Sequence, residues 1–325
     1  MTPIESIRQS IAPELDLLNS RIKETLASSN DLMNRVVDGY LTVKGKQIRP
    51  ILVILTAKLF GTVNERTISA AAAVEMLHNA TLIHDDVVDE SKIRRSQPTV
   101  NSLWDNQIAV LVGDFFVSNA LQQAVATGDL RIVDALGHLG KVLSLGEVDQ
   151  IYNARYHCLD EKAYFNIISY KTASLFVSCI KMGAYSVGAD GEKLKEMERF
   201  AELLGLCFQI RDDIFDYYSD QNEIGKPTGN DLREGKITLP LLYALNRAEL
   251  PDHDSMLELS KKEILEEEEI ATLIEFAKAS GGIDYAYATM ERLRDEASAI
   301  LDRFPASETV DALRSIFTYI ITRRH

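Results

Sequence analysis

Apolar residues recur at helical spacing along almost the whole chain. Near the start they step by three or four positions, as in a helix with one buried face: Ile4, Ile7, Ile11, Leu15, Leu18 and Ile22. Broader apolar patterns, typical of helices buried on several sides, cover residues 50–59, 68–88, 108–126, 165–185, 193–218 and 239–245. Amphipathic helices are predicted over residues 283–301 and 310–321. No run alternates polar and β-branched residues, so we expect strands to be absent or trivial.

The pattern gives no reason to divide the chain. No linker rich in Ser, Gly or Pro and no repeat of solenoid period interrupts the 325 residues. Length alone would favour two domains. However, the two acidic clusters described below would have to lie in one core to form one site. We therefore predict a single all-α domain over residues 1–325.

Composition narrows the class of partner. The 35 basic and 49 acidic residues give a net charge of −14, which argues against nucleic acid and anionic membrane surfaces as general partners. Three cysteines without metal-ligand spacing fit a reducing cytosol. No stretch reaches the roughly 18 uncharged apolar residues of a membrane span, and Glu5 and Arg8 interrupt any early signal-like run. We expect a soluble, cytoplasmic protein.

Three aspartates follow the apolar stretch that ends near residue 84. Asp85 and Asp89 are spaced i and i+4, so on a helix two like charges lie about 5–6 Å apart, with Asp86 beside them. A hard divalent cation, above all Mg²⁺, would relieve this repulsion and fill its remaining positions with water and phosphate oxygens. Arg94 and Arg95 would suit the same phosphates. The pattern predicts a metal and phosphate site.

A second acidic cluster repeats the first. Asp212, Asp213 and Asp216 have the same spacing and again follow an apolar stretch. One such pattern is weak, because short acidic motifs are common on solvated helix faces, but two that each end an apolar helix are not expected by chance. Facing carboxylate sets could hold several metal ions around one diphosphate and make it a good leaving group.

Basic residues that could complete such a site come from separate places. Lys46 and Arg49 lie in a loop before a predicted helix. Lys171 lies inside an apolar helix, where an unpaired ammonium group would be costly. Lys226 and Lys236 lie in a loop rich in Gly and Pro that follows the second acidic cluster.

These motifs resemble those of the trans-isoprenyl diphosphate synthases (polyprenyl synthetases). The resemblance runs from Gly45 to Pro240 and is carried by GKQIRP, HNATLIHDDVVDESKIRR, GD at 113–114, GEVDQ at 146–150, KT at 171–172, FQIRDDIFD and GKPTGNDLREGKITLP. It implies an isoprenoid-synthase-type bundle of about a dozen helices around a deep central apolar cavity, usually as a homodimer. It also implies a prenyltransferase that condenses isopentenyl diphosphate with an allylic diphosphate. Ser96 departs from the family, which usually has Gly there.

The resemblance implies a role for each site residue. The carboxylates that look like ligands of about three Mg²⁺ ions are Asp85, Asp89 and Asp212. Those that look like supporting carboxylates of the metal site are Asp86, Asp213 and Asp216. The positions that match the grip on the allylic diphosphate are Arg94, Lys171 and Lys226, and Lys236 looks like a further diphosphate contact. The positions that match the site for isopentenyl diphosphate are Lys46, Arg49, His78 and Arg95.

The implied reaction begins with ionisation of the allylic diphosphate to a carbocation. The double bond of isopentenyl diphosphate attacks this cation, and the departed diphosphate accepts the proton that is then lost. Thr172 Oγ, Gln209 and main-chain carbonyls are expected to stabilise the cation electrostatically. A dry apolar cavity would keep water from quenching it.

Product length is expected to depend on the helix before Asp85. The residues expected to line the growing chain's shaft are Ala73, Met76, Leu77, Ala80 and Thr81. Short-chain members typically carry an aromatic residue four or five positions before the first aspartate, whereas no aromatic residue occurs from Ser69 to Asp85. Ala73 lies about 18 Å down the helix. We predict a long product of C35 to C50, with C40 the expected length, of the kind used for quinone side chains. Its release would need at most transient membrane contact. Candidates for the floor of the shaft are Phe115, Phe116 and Phe176.

Other interpretations explain fewer residues. An HD-type phosphohydrolase would use His78, His84 and Asp85 but leaves the second acidic cluster unexplained. A di-iron bundle needs two Glu-x-x-His motifs, and only Glu75–His78 fits. A class I terpene cyclase would not need the set that includes Lys46. The alternatives that stay open are a farnesyl or geranylgeranyl diphosphate synthase and a non-catalytic subunit of a heteromeric prenyl synthase.

Overall fold

The computed structural model describes residues 2–42, 45–94, 97–218 and 228–322. Helices make up 77% of the chain and strands 1%, which confirms the predicted all-α class. The chain divides into two compact units. Unit 1 contains Met1–Gly140, Leu175–Glu198 and Ala306–Leu313, and unit 2 contains Lys141–Ser174, Arg199–Pro305 and Arg314–His325. That the whole chain forms one domain stays a prediction.

The helices follow the apolar pattern closely. The first seven are α1 Pro3–Ser10, α2 Ala12–Thr25, α3 Asp31–Leu41, α4 Ile48–Phe60, α5 Glu65–Val88, α6 Val100–Leu103 and α7 Asn106–Ala126. The next five are α8 Leu130–Tyr156, α9 Glu161–Ile168, α10 Ser174–Ser186, α11 Glu192–Phe215 and α12 Asn230–Arg233. The last five are α13 Leu239–Leu245, α14 His253–Leu259, α15 Glu267–Ala279, α16 Gly282–Leu301 and α17 Glu308–Thr322.

Strands are as trivial as predicted. Within the described ranges the ladder consists of β1 (Ile93–Arg94) and β2 (Gln97–Pro98), which pair antiparallel. This short hairpin lies directly after the first acidic cluster and fixes the backbone of Arg94.

The core of unit 1 is built around α5, which packs against α2, α4 and α7. Residues 70–74 of α5 and 51–54 of α4 have no exposed surface, as expected for helices that are apolar on all sides. α5 begins where the Asn64 side chain accepts the N–H groups of Arg66 at 2.9 Å and Thr67 at 3.2 Å. It ends at Val88, with Asp89 as C-cap.

The core of unit 2 is built around α13, which packs against α9, α15 and α16. Buried Tyr217, Leu241 and Leu273 belong to one apolar cluster there. The Tyr217 hydroxyl lies 3.1 Å from Thr238 Oγ1 and accepts the Leu241 N–H at 3.2 Å, which ties the end of the second acidic segment to the start of α13.

A π-turn over Ser169–Ala173 interrupts the helix that the sequence predicts as continuous from 165 to 185. Two glycines allow it. A Cβ at Gly205 of α11 would lie 2.4 Å from Ala173 Cα, and one at Gly146 of α8 would lie 2.8 Å from Lys171 Cγ. Such turns are rare and often mark functional sites. This one carries Lys171 and Thr172.

α7 has an exposed apolar face in unit 1. Its exposed apolar side chains are Val110, Leu111, Val117, Leu121 and Val125. By length and composition it is, in the described part of the chain, the one helix that could cross a membrane, with 39% of the tested window buried. Asp114 lies in its middle. Core helices of soluble proteins pass the same test, so this observation alone carries little weight.

Candidate active site

The first acidic cluster lies at the C-terminal end of α5 in unit 1. Asp85 is half-buried one turn before the end of the helix, and Asp89 is the exposed C-cap, whose N–H donates to the Asp85 carbonyl at 2.8 Å. The predicted i, i+4 spacing on one helix is therefore present.

Asp86 is held differently from its neighbours. It is 3% exposed, and its Oδ1 accepts a hydrogen bond from Arg94 Nε at 2.7 Å. Burial raises the pKa of Asp86, and the Arg94 guanidinium opposes that rise. The Asn101 amide donates to the Asp86 carbonyl at 3.1 Å. Asp86 thus fixes Arg94, which agrees with the supporting role that the resemblance implies.

The surroundings of this cluster suit a cation. The C-terminal end of a helix carries partial negative charge, so three carboxylates there are unfavourable without a compensating positive charge. No basic residue lies in the last turn of α5, and the donors are all hard carboxylate oxygens, which suit Mg²⁺. The residues present therefore fit a divalent metal ion.

The residues predicted to bind the second diphosphate lie at the start of α4 and inside α5. Lys46 is exposed, Arg49 is half-buried in the first turn of α4, and His78 is 7% exposed in α5. The Arg49 guanidinium carbon lies 5.7 Å from the centroid of the Phe176 ring. Phe176 therefore supports a predicted phosphate-binding cation, whereas the sequence offers it as a floor of the shaft.

The second acidic cluster lies at the end of α11 in unit 2, where Asp213 is the centre of a hydrogen-bond chain. Its Oδ2 accepts from the Tyr164 hydroxyl at 2.6 Å and its Oδ1 from Gln209 Nε2 at 2.8 Å. Gln209 Oε1 in turn accepts from Thr172 Oγ1 at 2.7 Å. The chain joins α9, α11 and the π-turn, and the two donors to Asp213 fix which way the Gln209 amide faces.

Asp216 connects this cluster to the loop that follows. Its two oxygens accept the main-chain N–H groups of Asn230 at 2.9 Å and Asp231 at 3.0 Å, at the start of α12. The Asp231 carbonyl accepts the N–H of Lys236 at 2.7 Å. Asp216 therefore positions the segment that carries Lys236, while Asp212 is half-buried one turn before it.

Crowding of carboxyl groups makes the second cluster electrostatically unfavourable without a cation. Burial raises the pKa of Asp213, Asp216 and Asp231, and the neighbouring carboxylates raise it further. No basic residue lies in the last turn of α11. A divalent cation would relieve this repulsion, so these residues also fit the implied metal.

Lys171 is paired, as an ammonium group among apolar residues should be. Its Nζ donates to Gln150 and forms an ion pair with Glu147, both on α8. These two residues come from the GEVDQ motif, to which the sequence assigns no individual role. The pairing holds the cation in place on the π-turn.

Five of the predicted residues meet in one cavity of unit 2. The cavity has a volume of about 210 Å³, and its lining includes Lys171, Thr172, Gln209, Asp213 and Lys236. The structure thus brings together residues that lie up to 65 positions apart, 171 to 236. Lys236 Nζ donates to Glu234 at 2.5 Å.

Three positions of the predicted site lie outside the described residues: Arg95, Ser96 and Lys226. The six aspartates are divided between the units, three in each. That they serve one diphosphate stays a prediction.

The residues predicted to control product length differ in accessibility. Ala73, Met76 and Ala80 have no exposed surface, Leu77 is 6% exposed, and Thr81 is half-buried. Of the candidate floor residues in α7, Phe115 is half-buried, whereas Phe116 is buried and its ring centroid lies 5.7 Å from that of Tyr40. The Tyr40 hydroxyl donates to Asn79 Oδ1 at 3.4 Å. This aromatic pair therefore lies next to α5.

Sequence reasoning missed Tyr164, Glu147 and Gln150 as parts of the site. Glu147 and Gln150 carried a signal, because i and i+3 on a helix place them on one face. Tyr164 carried none, since its contact with Asp213 joins two helices 49 positions apart.

Replacing Gly205 with Ala tests how the π-turn is supported. The new Cβ would meet the backbone of Ala173 at 2.4 Å, so we expect a loss of about 1–3 kcal/mol in the free energy of unfolding. At Gly137 of α8 a new Cβ would have no atom within 4 Å, and Gly137→Ala should raise stability by up to about 1 kcal/mol. Urea denaturation followed by circular dichroism measures both, and equal effects would contradict the close packing at Gly205.

Known proteins resemble this chain over nearly its whole length. The sequence matches the polyprenyl synthetase family over residues 30–277. It is 33% identical over 312 residues to the octaprenyl diphosphate synthase of Escherichia coli (strain K12), covering 95% of this chain and 96% of that protein.

Solved structures agree. The polyprenyl synthase from Caulobacter crescentus CB15, complexed with calcium and isoprenyl diphosphate, matches with a TM-score of 0.90 and 31% identity, covering 99% of this chain and 98% of that one. The geranylgeranyl pyrophosphate synthase from Bacteroides thetaiotaomicron matches with a TM-score of 0.84 and 36% identity, covering 99% of both chains. Together with the two aspartate clusters and the anchored Lys171, these matches show that the chain belongs to the polyprenyl synthetase family and is a trans-prenyl diphosphate synthase, a prenyltransferase.

Proposed function

We propose that this enzyme is a long-chain synthase, which adds isopentenyl diphosphate units head to tail to an allylic diphosphate primer until the product reaches about C40. The observation that carries this proposal is the absence of aromatic side chains from residue 69 to 85, with small Ala80 and Thr81 one turn before Asp85. The octaprenyl relative supports it. A product of this length would serve as a quinone side chain.

The cations divide between the two substrates in this proposal. Lys171, held by Glu147 and Gln150, and Arg94, held by Asp86, would bind the allylic diphosphate. Because each cation is already oriented by a partner, little side-chain freedom is lost when the diphosphate binds. Lys226 and Lys236 would add further contacts to the same group. Arg95 would bind isopentenyl diphosphate together with the set at the start of α4: Lys46, Arg49 and His78.

Thr172 and Gln209 would stabilise the allylic cation through their oxygen atoms. The Thr172 proton is donated to Gln209 Oε1, so the hydroxyl oxygen has only lone pairs left to present to the cavity it lines. Lone pairs fixed beforehand in a water-poor site are the polarity that a developing positive charge requires. The departing diphosphate would take the proton lost in the final step.

The metal in this proposal is Mg²⁺, about three ions with the diphosphates. Asp85, Asp89 and Asp212 would hold it, with Asp86, Asp213 and Asp216 in support. When bound, it would neutralise diphosphate charge and make the group a better leaving group. The raised carboxyl pKa values in unit 2 and the calcium and isoprenyl diphosphate in the Caulobacter structure support this choice. We also propose that both clusters serve one diphosphate.

The product spectrum tests chain length. Purified enzyme is incubated with farnesyl and isopentenyl diphosphates, with Mg²⁺ and after its removal by chelation, and the products are separated by chromatography. We expect products centred on C40 with Mg²⁺ and none without it. Products of only C15 or C20 would identify a shorter-chain synthase, in line with the Bacteroides match. No elongation by this chain alone would favour the subunit of a heteromeric enzyme.

We further propose a homodimer in the cytoplasm, with at most transient membrane contact when product leaves. Exposed apolar side chains on one face of α7, including Leu111 and Leu121, support self-association, because soluble monomers rarely expose such a patch. The cysteines Cys158, Cys179 and Cys207 are unpaired, as in a reducing compartment. Light scattering of the purified protein should give twice 36.3 kDa.

A further inference from the structure

The loop before α4 has a backbone conformation that its sequence does not favour. Gln47, the N-cap of α4, has φ 52° and ψ 36°, the left-handed region that side chains other than Gly seldom adopt. Gln47 lies between Lys46 and the first turn of α4, which contains Arg49. The strained residue therefore sets the direction in which the loop meets the helix.

The side chain of Gln47 is used to hold this conformation and not to cap the helix. It is 9% exposed and makes no capping hydrogen bond with α4. Its Oε1 accepts from Arg8 Nη2 at 3.3 Å, and its Nε2 donates to Asn19 Oδ1 at 3.0 Å. A buried amide needs a partner for both its oxygen and its nitrogen, and here α1 supplies one and α2 the other.

Arg8 makes a second contact with the same loop. Its Nη1 donates to the Lys46 carbonyl at 2.9 Å. Three hydrogen bonds from the first two helices thus converge on two consecutive residues. Persistent backbone strain requires surroundings that over-determine it, and Arg8 and Asn19 provide them.

We propose that Arg8 and Asn19 are positioning residues for isopentenyl diphosphate: they keep Gln47 left-handed, so that Lys46 and Arg49 are presented together at the beginning of α4. The proposal rests on the function proposed above for Lys46 and Arg49. The N-terminus of α4 adds to their attraction for an anion, since helix N-termini carry partial positive charge. Release of the loop would misplace Lys46 while leaving the allylic half of the site unchanged.

Steady-state kinetics of four variants tests this proposal. Arg8→Ala and Asn19→Ala should each raise the KM for isopentenyl diphosphate about tenfold, because small misplacements of a binding group are costly, and leave the KM for farnesyl diphosphate unchanged. Arg8→Lys keeps a donor for the loop and should recover most of the loss. Arg21→Ala is the matched control. Arg21 donates to Ser69 Oγ at 2.8 Å and pairs with Glu65 at 2.6 Å, so its loss loosens α2 without touching the loop.

The two possible electrostatic and structural explanations make different predictions. If Arg8 acted only through its charge, Asn19→Ala would leave both KM values unchanged, which would overturn the proposal. If the N-terminal helices served only general stability, Arg21→Ala would match Arg8→Ala, or both substrates would be affected equally, and either result would also overturn it.

A fifth variant separates this inference from the proposed function. Lys46→Ala should raise the KM for isopentenyl diphosphate, and calorimetric titration with isopentenyl diphosphate should show weaker binding. If Lys46→Ala weakens binding whereas Arg8→Ala and Asn19→Ala do not, only the positioning role is wrong. If Lys46→Ala has no effect, the half-site at α4 is wrong and the positioning role falls with it.

Discussion

Asp85→Ala and Asp212→Ala are each expected to lower turnover about 10³-fold, because loss of a metal ligand removes about 4 kcal/mol of transition-state stabilisation. Both residues are half-buried at the end of an otherwise apolar helix. Removal of one carboxylate there also removes repulsion from its neighbours, so the stability of the fold should not fall. The rate of elongation and the Mg²⁺ concentration at half-maximal rate measure the effect.

Neighbouring aspartates provide an informative contrast. Asp213→Ala would leave the buried Tyr164 hydroxyl and the Gln209 amide without their acceptor, so it should lower the free energy of unfolding by about 1–3 kcal/mol as well as activity. Asp134→Ala, an exposed change on α8, controls for loss of negative charge and should change neither quantity. Near-normal turnover of Asp85→Ala or Asp212→Ala would contradict the metal assignment.

Thr81→Phe is expected to shorten the product from about C40 to C15–C20. Thr81 lies one turn before Asp85 on the same face of α5, and helical side chains lean towards the N-terminus. A phenyl ring at 81 would therefore lie across the path of a chain that grows away from Asp85. Because Thr81 is only half-buried, the fold should accept the ring. Chromatography of the reaction products gives the chain length.

The adjacent position should respond differently. Ala80 has no exposed surface, so Ala80→Phe should overpack α5 and lower the free energy of unfolding by about 1–3 kcal/mol. Thr318→Phe is the control for Thr81→Phe. Thr318 is exposed on α17, and its hydroxyl donates to the Arg314 carbonyl much as Thr81 donates to that of His78. Unchanged product length in Thr81→Phe would refute the shaft along this face of α5.

Much of the fold follows from apolar periodicity. The pattern over 239–245 coincides with α13, and those over 283–301 and 310–321 differ from α16 and α17 by one or two residues. α8 was not predicted, because its exposed side includes apolar residues such as Leu145, Val148 and Ile151, which blur an amphipathic pattern. Propensity and periodicity also cannot indicate a π-turn, since its cause is the close approach of two other helices at Gly146 and Gly205.

The candidate site was predictable where chemistry is written in local spacing. The two aspartate clusters, Lys171 and Thr172 could be named because their residue types and intervals are informative by themselves. The partners that orient them could not. The pairings of Arg94 with Asp86, of Lys171 with Glu147 and of Asp213 with Tyr164 depend on which helix faces lie together. Gln47 could not be recognised either, because nothing in its sequence context requires a left-handed residue.

The π-turn at 169–173 has a consequence for insertions and deletions. It holds one residue more than an α-helical turn would. Loss of a single residue from this segment would restore regular winding and rotate everything on one side of it by about 100° around the helix axis. The ammonium group would then swing away from Glu147 and Gln150, although every functional side chain would still be encoded. A one-residue gap aligned at this point in a distant homologue is therefore a sign of an altered diphosphate grip, even where all the motifs are intact.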